Sequence, residues 1–175
     1  MMHESLRPDW VCDPQQFRSH QDKQGAEFQV CSYHPDARES LQSFYEKFEP
    51  KRAAQGLPPT GADRIARWLE IVLGQGIHLL ACRDGGLIGH ALLMPTKTEG
   101  AAEYAVFLRI DMRSRGVGTE FNRAALDAAR EKGLYRIWLS VAPHNRAAIR
   151  SYEKVGFRFV PNTIYSPEAE MQIEL

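Results

Sequence analysis

Cysteine is scarce in this sequence: Cys12, Cys31 and Cys82 are the only three in 175 residues, and no two of them form a CxxC pair. That excludes a thiolate zinc site and a stapled miniprotein, and it reads as free thiols in a reducing compartment. Net charge is lacking too. The 22 Lys and Arg residues balance 22 Asp and Glu, so no overall field draws in nucleic acid or an anionic membrane. Nowhere do eighteen apolar residues follow one another, and the opening MMHESLRPDW has no apolar stretch of the kind a signal sequence needs. The expectation is a cytoplasmic protein with neither nucleic acid nor membrane as partner. Internal repeats and low-complexity tracts are absent as well.

What is present is a globular composition, 43% hydrophobic and 25% charged, in a length that suits one domain. Residues 1–26 are polar, carry Pro8 and Pro14, and show no period, so they read as an irregular arm ahead of a single domain at 27–175. Glu27 to Tyr33 alternates as a strand. Ala37, Leu41, Phe44, Tyr45 and Phe48 recur at helical spacing behind Asp36, with Glu39 placed as in a capping box. After the Pro- and Gly-rich loop KRAAQGLPPTG, a second helix presents Ile65, Trp68, Leu69 and Val72 and stops at Gly74 and Gly76.

Two apolar segments, Ile77 to Cys82 and Leu87 to Met94, flank Arg83-Asp84-Gly85-Gly86, which predicts a β-hairpin. Glu103 to Ile110 is a further strand and leads into a turn with two glycines and a helix from Gly116 to Lys132. Tyr135 to Ala142 reads as a central strand, apolar on both faces. Asn145 caps a helix bearing Ala148, Ile149, Tyr152 and Val155, and short strands near Phe157–Val160 and Ala169–Leu175 finish the chain. The order predicts an α/β (α+β) domain whose mixed, mostly antiparallel sheet of about six or seven strands carries helices on both faces.

A strand, a glycine turn and a helix N-terminus together make an anion cradle, because unpaired N–H groups and the positive end of the helix dipole converge there. In Arg113-Ser114-Arg115-Gly116-Val117-Gly118 there is no Lys-Ser or Lys-Thr after the glycines, as a P-loop requires, and no third glycine of a dinucleotide fingerprint. His78, His90 and His144 lack metal-site spacing, and no metal is expected.

The pattern Arg113-x-x-Gly116-x-Gly118 resembles the Arg/Gln-x-x-Gly-x-Gly/Ala motif of the GNAT acetyltransferases. A second block, Asn145, Ala148 and Ser151-Tyr152-Glu153-Lys154-Val155-Gly156-Phe157, is similar to that family's Asn…Tyr-Glu-Lys-x-Gly-Phe block. The resemblance covers about Ile77 to Phe159, and the paired helices with SFYEKFEPKR resemble bacterial protein-lysine acetyltransferases.

The resemblance implies transfer of an acetyl group from acetyl-CoA to an amine, with a strand splay at the acetyl-CoA site. Arg113, Ser114, Arg115, Gly116, Val117, Gly118 and Thr119 would hold the cofactor, and Asn145 would cap its helix while facing the pantetheine arm. Glu103 takes the base position, and a main-chain N–H near Phe107 or Leu108 would stabilise the oxyanion. Tyr152 would protonate the departing sulfur or donate a hydrogen bond to it. The acceptor surface is expected between Phe44 and Ile65 and between Asn162 and Glu170. The acceptor itself is left open between a small-molecule amine and a protein lysine or N-terminus. Dimerisation is common in the family, so a homodimer is a candidate state. A non-catalytic acyl-CoA sensor is the alternative, and a nucleotide-binding protein ranks behind it.

Overall fold

The computed structural model describes residues 18–175. The part of the expected arm at 1–17 lies outside the described residues. In chain order the elements are β1 (Arg18–Gln21), β2 (Glu27–Ser32), α1 (Arg38–Lys47), α2 (Ala62–Leu73), β3 (Ile77–Arg83), β4 (Gly86–Pro95), β5 (Ala101–Leu108), α3 (Val117–Glu131), β6 (Arg136–Val141), α4 (Arg146–Lys154), β7 (Arg158–Phe159) and β8 (Ala169–Glu174). Among the described residues the strands form one sheet in the order β1-β2-β3-β4-β5-β6-β8-β7. Neighbours are antiparallel except β5 and β6, which run parallel because α3 returns the chain to the same end of the sheet.

Three local readings are corrected. Residues 18–21, assigned to the irregular arm, pair with β2 from Arg18↔Val30 to Gln21↔Glu27 and add an eighth strand. The segment RSHQ is mostly exposed and has no apolar face, so a ladder partner holds it rather than burial. The capping box at Asp36 and Glu39 does not form: Pro35 opens a 3-10 turn over Pro35–Ala37, and His34 Nδ1 accepts from the Asp36 N–H at 3.3 Å. Helix α1 therefore begins at Arg38, with no side-chain cap. Finally, β6 is apolar on one face only, burying Ile137, Leu139 and Val141 while Arg136, Trp138 and Ser140 stay half-exposed.

The hairpin forms as expected. Asp84 and Gly85 have φ of 51° and 77°, the left-handed pair of a two-residue turn that matches strand twist.

The sheet separates two cores. On one side α3 and α4 bury Val117, Phe121, Ala125 and Tyr152 against Ile88, Tyr104, Ile137 and Leu139. On the other, α1 and α2 bury Leu41, Tyr45, Ile65 and Leu69 against Leu80, Leu92 and Phe107. Each such apolar side chain contributes about 1.5–3 kcal/mol by leaving water. Among the described residues no β6 residue joins the α1/α2 core, and Arg136, Trp138 and Ser140 on that face are half-exposed.

Within that second core lies a polar chain whose protons can be assigned. His78 Nε2 is 2.8 Å from the carbonyl oxygens of both Val72 and Gln75, so it carries the hydrogen. Nδ1 of His78 then accepts from His90 Nε2 at 3.0 Å, and His90 Nδ1 accepts from the Tyr45 hydroxyl at 2.6 Å. Both rings are therefore neutral. Burial pushes the pKa of each downward, and for His90 the neighbouring His78 adds to the effect.

The linkage sign follows. Below about pH 6.5 the unfolded chain binds protons at these histidines that the folded chain refuses, so their contribution is present above that pH and is lost as pH falls from it. Thermal melts should show the midpoint dropping between pH 7 and 5.5. A double variant His78→Gln/His90→Gln should start lower but lose that slope. A slope unchanged in the double variant would assign it to other groups.

Candidate active site

Gly116 precedes α3 with φ +86°, a left-handed conformation that costs a side-chain-bearing residue about 1–2 kcal/mol, and Ser114 is left-handed too at φ 61°. No side chain caps α3, and its ladder begins with the Glu120 N–H on the Gly116 carbonyl. The N–H groups of Val117, Gly118 and Thr119 therefore point out of the helix end, together with the positive end of the dipole.

Gly118 carries separate information. It has no left-handed φ, and a Cβ there would meet Ser151 Oγ at 3.6 Å and a Leu108 methyl at 3.8 Å, ordinary contact distances. Neither backbone nor packing demands glycine at 118, since an alanine methyl would fit there in ordinary contact with Ser151 and Leu108.

The two arginines of the turn are engaged within the protein. Arg115 Nε donates to Asp22 Oδ2 at 3.1 Å and its Nη2 to Gln24 Oε1 at 2.8 Å. Arg83 reaches the same Asp22 oxygen at 2.9 Å. Burial would raise the Asp22 carboxyl, but the N–H groups of Gln24 and Ala26 and the Arg83 guanidinium outweigh it and hold the pKa below its ordinary value. Arg113 Nε donates to the Leu108 carbonyl at 3.3 Å, and its guanidinium lies 6.0 Å from the Phe48 ring centre.

Strands β5 and β6 stay paired only from Ala101↔Arg136 to Glu103↔Trp138, although both continue, β6 along β8 to Val141↔Ala169. Beyond Glu103 they part. The Arg109 N–H bonded to the Ile88 carbonyl fixes the phase of the β4–β5 ladder. By alternation, Phe107 turns its N–H toward β4 opposite His90, whereas Val106 and Leu108 turn theirs into the gap. The structure thus divides the expected oxyanion pair. Leu108 faces the opening, and Phe107 is turned away, with its ring buried 5.4 Å from that of Tyr45.

Alternation also sorts the side chains. Glu103, opposite Met94 on the α1/α2 face, stands at the last β5–β6 pair. Burial raises its pKa first, and the charge of Glu168 raises it further. Tyr104, the next residue, points to the other face, where the Tyr152 ring meets it edge-on at 6.4 Å. Burial pushes the Tyr152 hydroxyl up to about 12. Glu103 and Tyr152 therefore flank the parting of the strands from opposite faces of the sheet. Asn145 does cap α4, its Oδ1 accepting from the Ala148 N–H at 3.3 Å.

Sequence reading missed a buried chain that ties these parts together. The Tyr104 hydroxyl donates to Asn122 Oδ1 at 2.8 Å, Asn122 Nδ2 donates to Ser151 Oγ at 2.9 Å, and Ser151 lies 3.2 Å from Thr119 Oγ1. The available signal was Asn122, a polar residue on the buried stripe with Val117, Phe121 and Ala125. The three expected free thiols are also corrected, since Cys82 is free and buried but Cys31 is disulfide-bonded. Among the described residues no cluster of His, Cys, Asp or Glu is arranged to hold a metal, and no helix is long and apolar enough to cross a membrane.

A glycine turn opening α3 thus lies at one end of a sheet whose parallel pair splits, with Glu103 and Tyr152 on opposite faces of the split. Residues 35–157 match the model of the acetyltransferase (GNAT) family, and the chain belongs to that family. It is 27% identical over 96 residues to an L-methionine sulfoximine/L-methionine sulfone acetyltransferase of Pseudomonas aeruginosa, covering 51% of this chain and 56% of that protein. The chain thus spans little more than half the length of that curated relative. The fold matches the GNAT domain of S. lividans PAT with a TM-score of 0.77 at 20% identity, covering 94% of this chain and 100% of that one. It also matches a phosphinothricin acetyltransferase from Sinorhizobium meliloti solved with acetyl-CoA, with a TM-score of 0.67 at 15% identity and coverage of 83% and 87%.

The space at Gly118 yields a direct test. Gly118→Ala should leave the melting temperature unchanged or raise it, because alanine is favoured over glycine in a helix by about 1 kcal/mol. Calorimetry with CoA should nevertheless show affinity reduced about tenfold or more. Undiminished affinity would mean that the room beside Gly118 serves no ligand.

Proposed function

We propose that the protein is an N-acetyltransferase that moves the acetyl group of acetyl-CoA directly to an amine. The observation that carries this reading is the placement of Glu103 and Tyr152 on opposite faces where β5 and β6 part, at the end of the sheet that feeds the α3 cradle. When bound, acetyl-CoA supplies the thioester carbonyl that the amine attacks, forming the N–C bond as the C–S bond breaks.

The chain's own residues supply the remainder. The N–H groups of Val117, Gly118 and Thr119 would receive the pyrophosphate. Glu103 takes the proton that an amine of pKa about 10.4 carries at neutral pH, directly or through water, and its raised pKa brings it nearer the working range of a base. The Leu108 N–H donates to the oxygen on which negative charge builds.

Burial bears on the role of Tyr152. With burial pushing its hydroxyl up to about 12, Tyr152 is a weaker acid than an ordinary thiol, about 8.5, so full proton transfer to the thiolate is uphill. Tyr152 therefore acts as a hydrogen-bond donor that holds the sulfur's charge, and water completes the protonation.

The acceptor approaches on the half-exposed face of β6, where Trp138, Ser140 and Glu103 share one side of the sheet. Glu103, backed by the nearby Glu168 charge, favours an acceptor that arrives as an ammonium. Amino acids and their analogues are the first compounds to screen, given the substrates named for the Pseudomonas aeruginosa protein.

A thiol-release assay with acetyl-CoA and an amine panel tests the proposal. CoA binding without turnover across the panel would favour the sensor reading instead. Glu103→Gln should lower kcat/KM about a hundredfold and abolish its rise with pH through the Glu103 pKa. A variant rate and profile matching wild type would remove Glu103 from the mechanism. Tyr152→Phe should lower kcat about tenfold or more with little change in CoA affinity, and equal losses in both would contradict the sulfur contact.

A further inference from the structure

We infer that Lys23, at the tip of the β1–β2 turn, is the side-chain cation of the cofactor cradle and meets the pyrophosphate at Gly116, while Arg115 serves as the tether that puts it there. The inference rests on the acyl-CoA reading and adds a residue from a segment far away in sequence.

Arg115 divides its guanidinium between Asp22 and Gln24, and Arg113 is bonded to the Leu108 carbonyl. Those contacts already commit part of each guanidinium's donors inside the protein. Lys23 is placed differently. Its N–H donates to the Arg115 carbonyl at 2.8 Å, pinning the turn against the glycine loop. Its side chain then runs alongside Gly116: a Cβ built there would stand 3.0 Å from Lys23 Cγ, 3.6 Å from Cδ and 3.5 Å from Cε. The lysine stem thus crosses the residue whose left-handed turn opens α3, and Lys23 itself is an exposed residue.

The turn is held before any ligand arrives. Asp22 Oδ1 accepts from the N–H groups of Gln24 at 2.8 Å and Ala26 at 3.0 Å, and the Asp22 side chain is fully enclosed. Little backbone entropy remains to be lost when Lys23 engages an anion. The charge balance has the right sign as well. Asp22 is one carboxylate against Arg83, Arg115 and Lys23, while Asp111, which feels the Arg115 charge, is paired with Arg109, and Glu120 in the first turn of α3 with Arg123.

Isothermal titration of wild type, Lys23→Ala and Lys23→Arg with CoA and with 3′-dephospho-CoA tests the assignment, with melting curves run alongside. Lys23→Ala should melt with wild type, bind both ligands about tenfold more weakly and show a shallower dependence of affinity on salt. Lys23→Arg should recover most of the affinity. Unchanged CoA binding in Lys23→Ala would overturn the proposal. A loss confined to CoA would move Lys23 to the 3′-phosphate and overturn the pyrophosphate assignment. If wild type itself bound no CoA, the cofactor reading would fail first, an outcome distinct from a silent Lys23 variant.

Discussion

The site depends on a break in main-chain pairing. Strand β5 gives one set of its N–H and C=O groups to β4 along its whole length, but gives the other set to β6 only as far as Glu103. Past that point the polar groups of Val106 and Leu108 face a gap rather than a strand, a costly arrangement unless something accepts their hydrogen bonds. Arg113 meets one of them at the Leu108 carbonyl. The others form a short open edge in the middle of a sheet, the kind of edge an extended ligand such as the pantetheine arm can pair with. The same parting has the Glu103 carboxyl on one face and the buried phenol of Tyr152 on the other.

Holding the gap open requires the helices around it to be fixed, and buried polar chains do this on both sides. On the α3/α4 side, Tyr104, Asn122, Ser151 and Thr119 link β5 to both helices through side-chain hydrogen bonds. On the α1/α2 side, Tyr45, His90 and His78 run from α1 across β4 and β3 to the carbonyls at the end of α2. Each chain is satisfied at every link, and a polar core of that kind specifies one arrangement where an apolar core would tolerate several. At the edge, Asp22 plays the same part for the cradle by binding two arginines from different segments.

The glycine turn, the helix that follows it and the block from Asn145 to Phe157 were legible in the chain, because each is a local pattern with a local physical cause. A left-handed residue before α3 needs glycine at 116, Asn145 caps the helix it precedes, and the apolar stripe of α3 recurs at helical spacing. The hairpin at Asp84-Gly85 was legible for the same reason. The α1 cap was misread because two acceptor side chains competed for neighbouring N–H groups, and Pro35 settled the competition in favour of a 3-10 turn.

The sequence by itself determined the elements other than β1, the glycine turn before α3 and the motifs of the family resemblance, since each is written in residues within a few positions of one another. Tertiary structure alone decided that β1 exists, that Arg115 is bound to Asp22 instead of being free, and that Leu108 rather than Phe107 faces the gap. It also decided that Lys23 lies against Gly116. The reason is physical: a strand without an apolar face forms only when a partner offers its ladder, and the fate of a charged side chain is set by whichever opposite charge the fold brings within reach. Neither condition leaves a periodic trace along the chain.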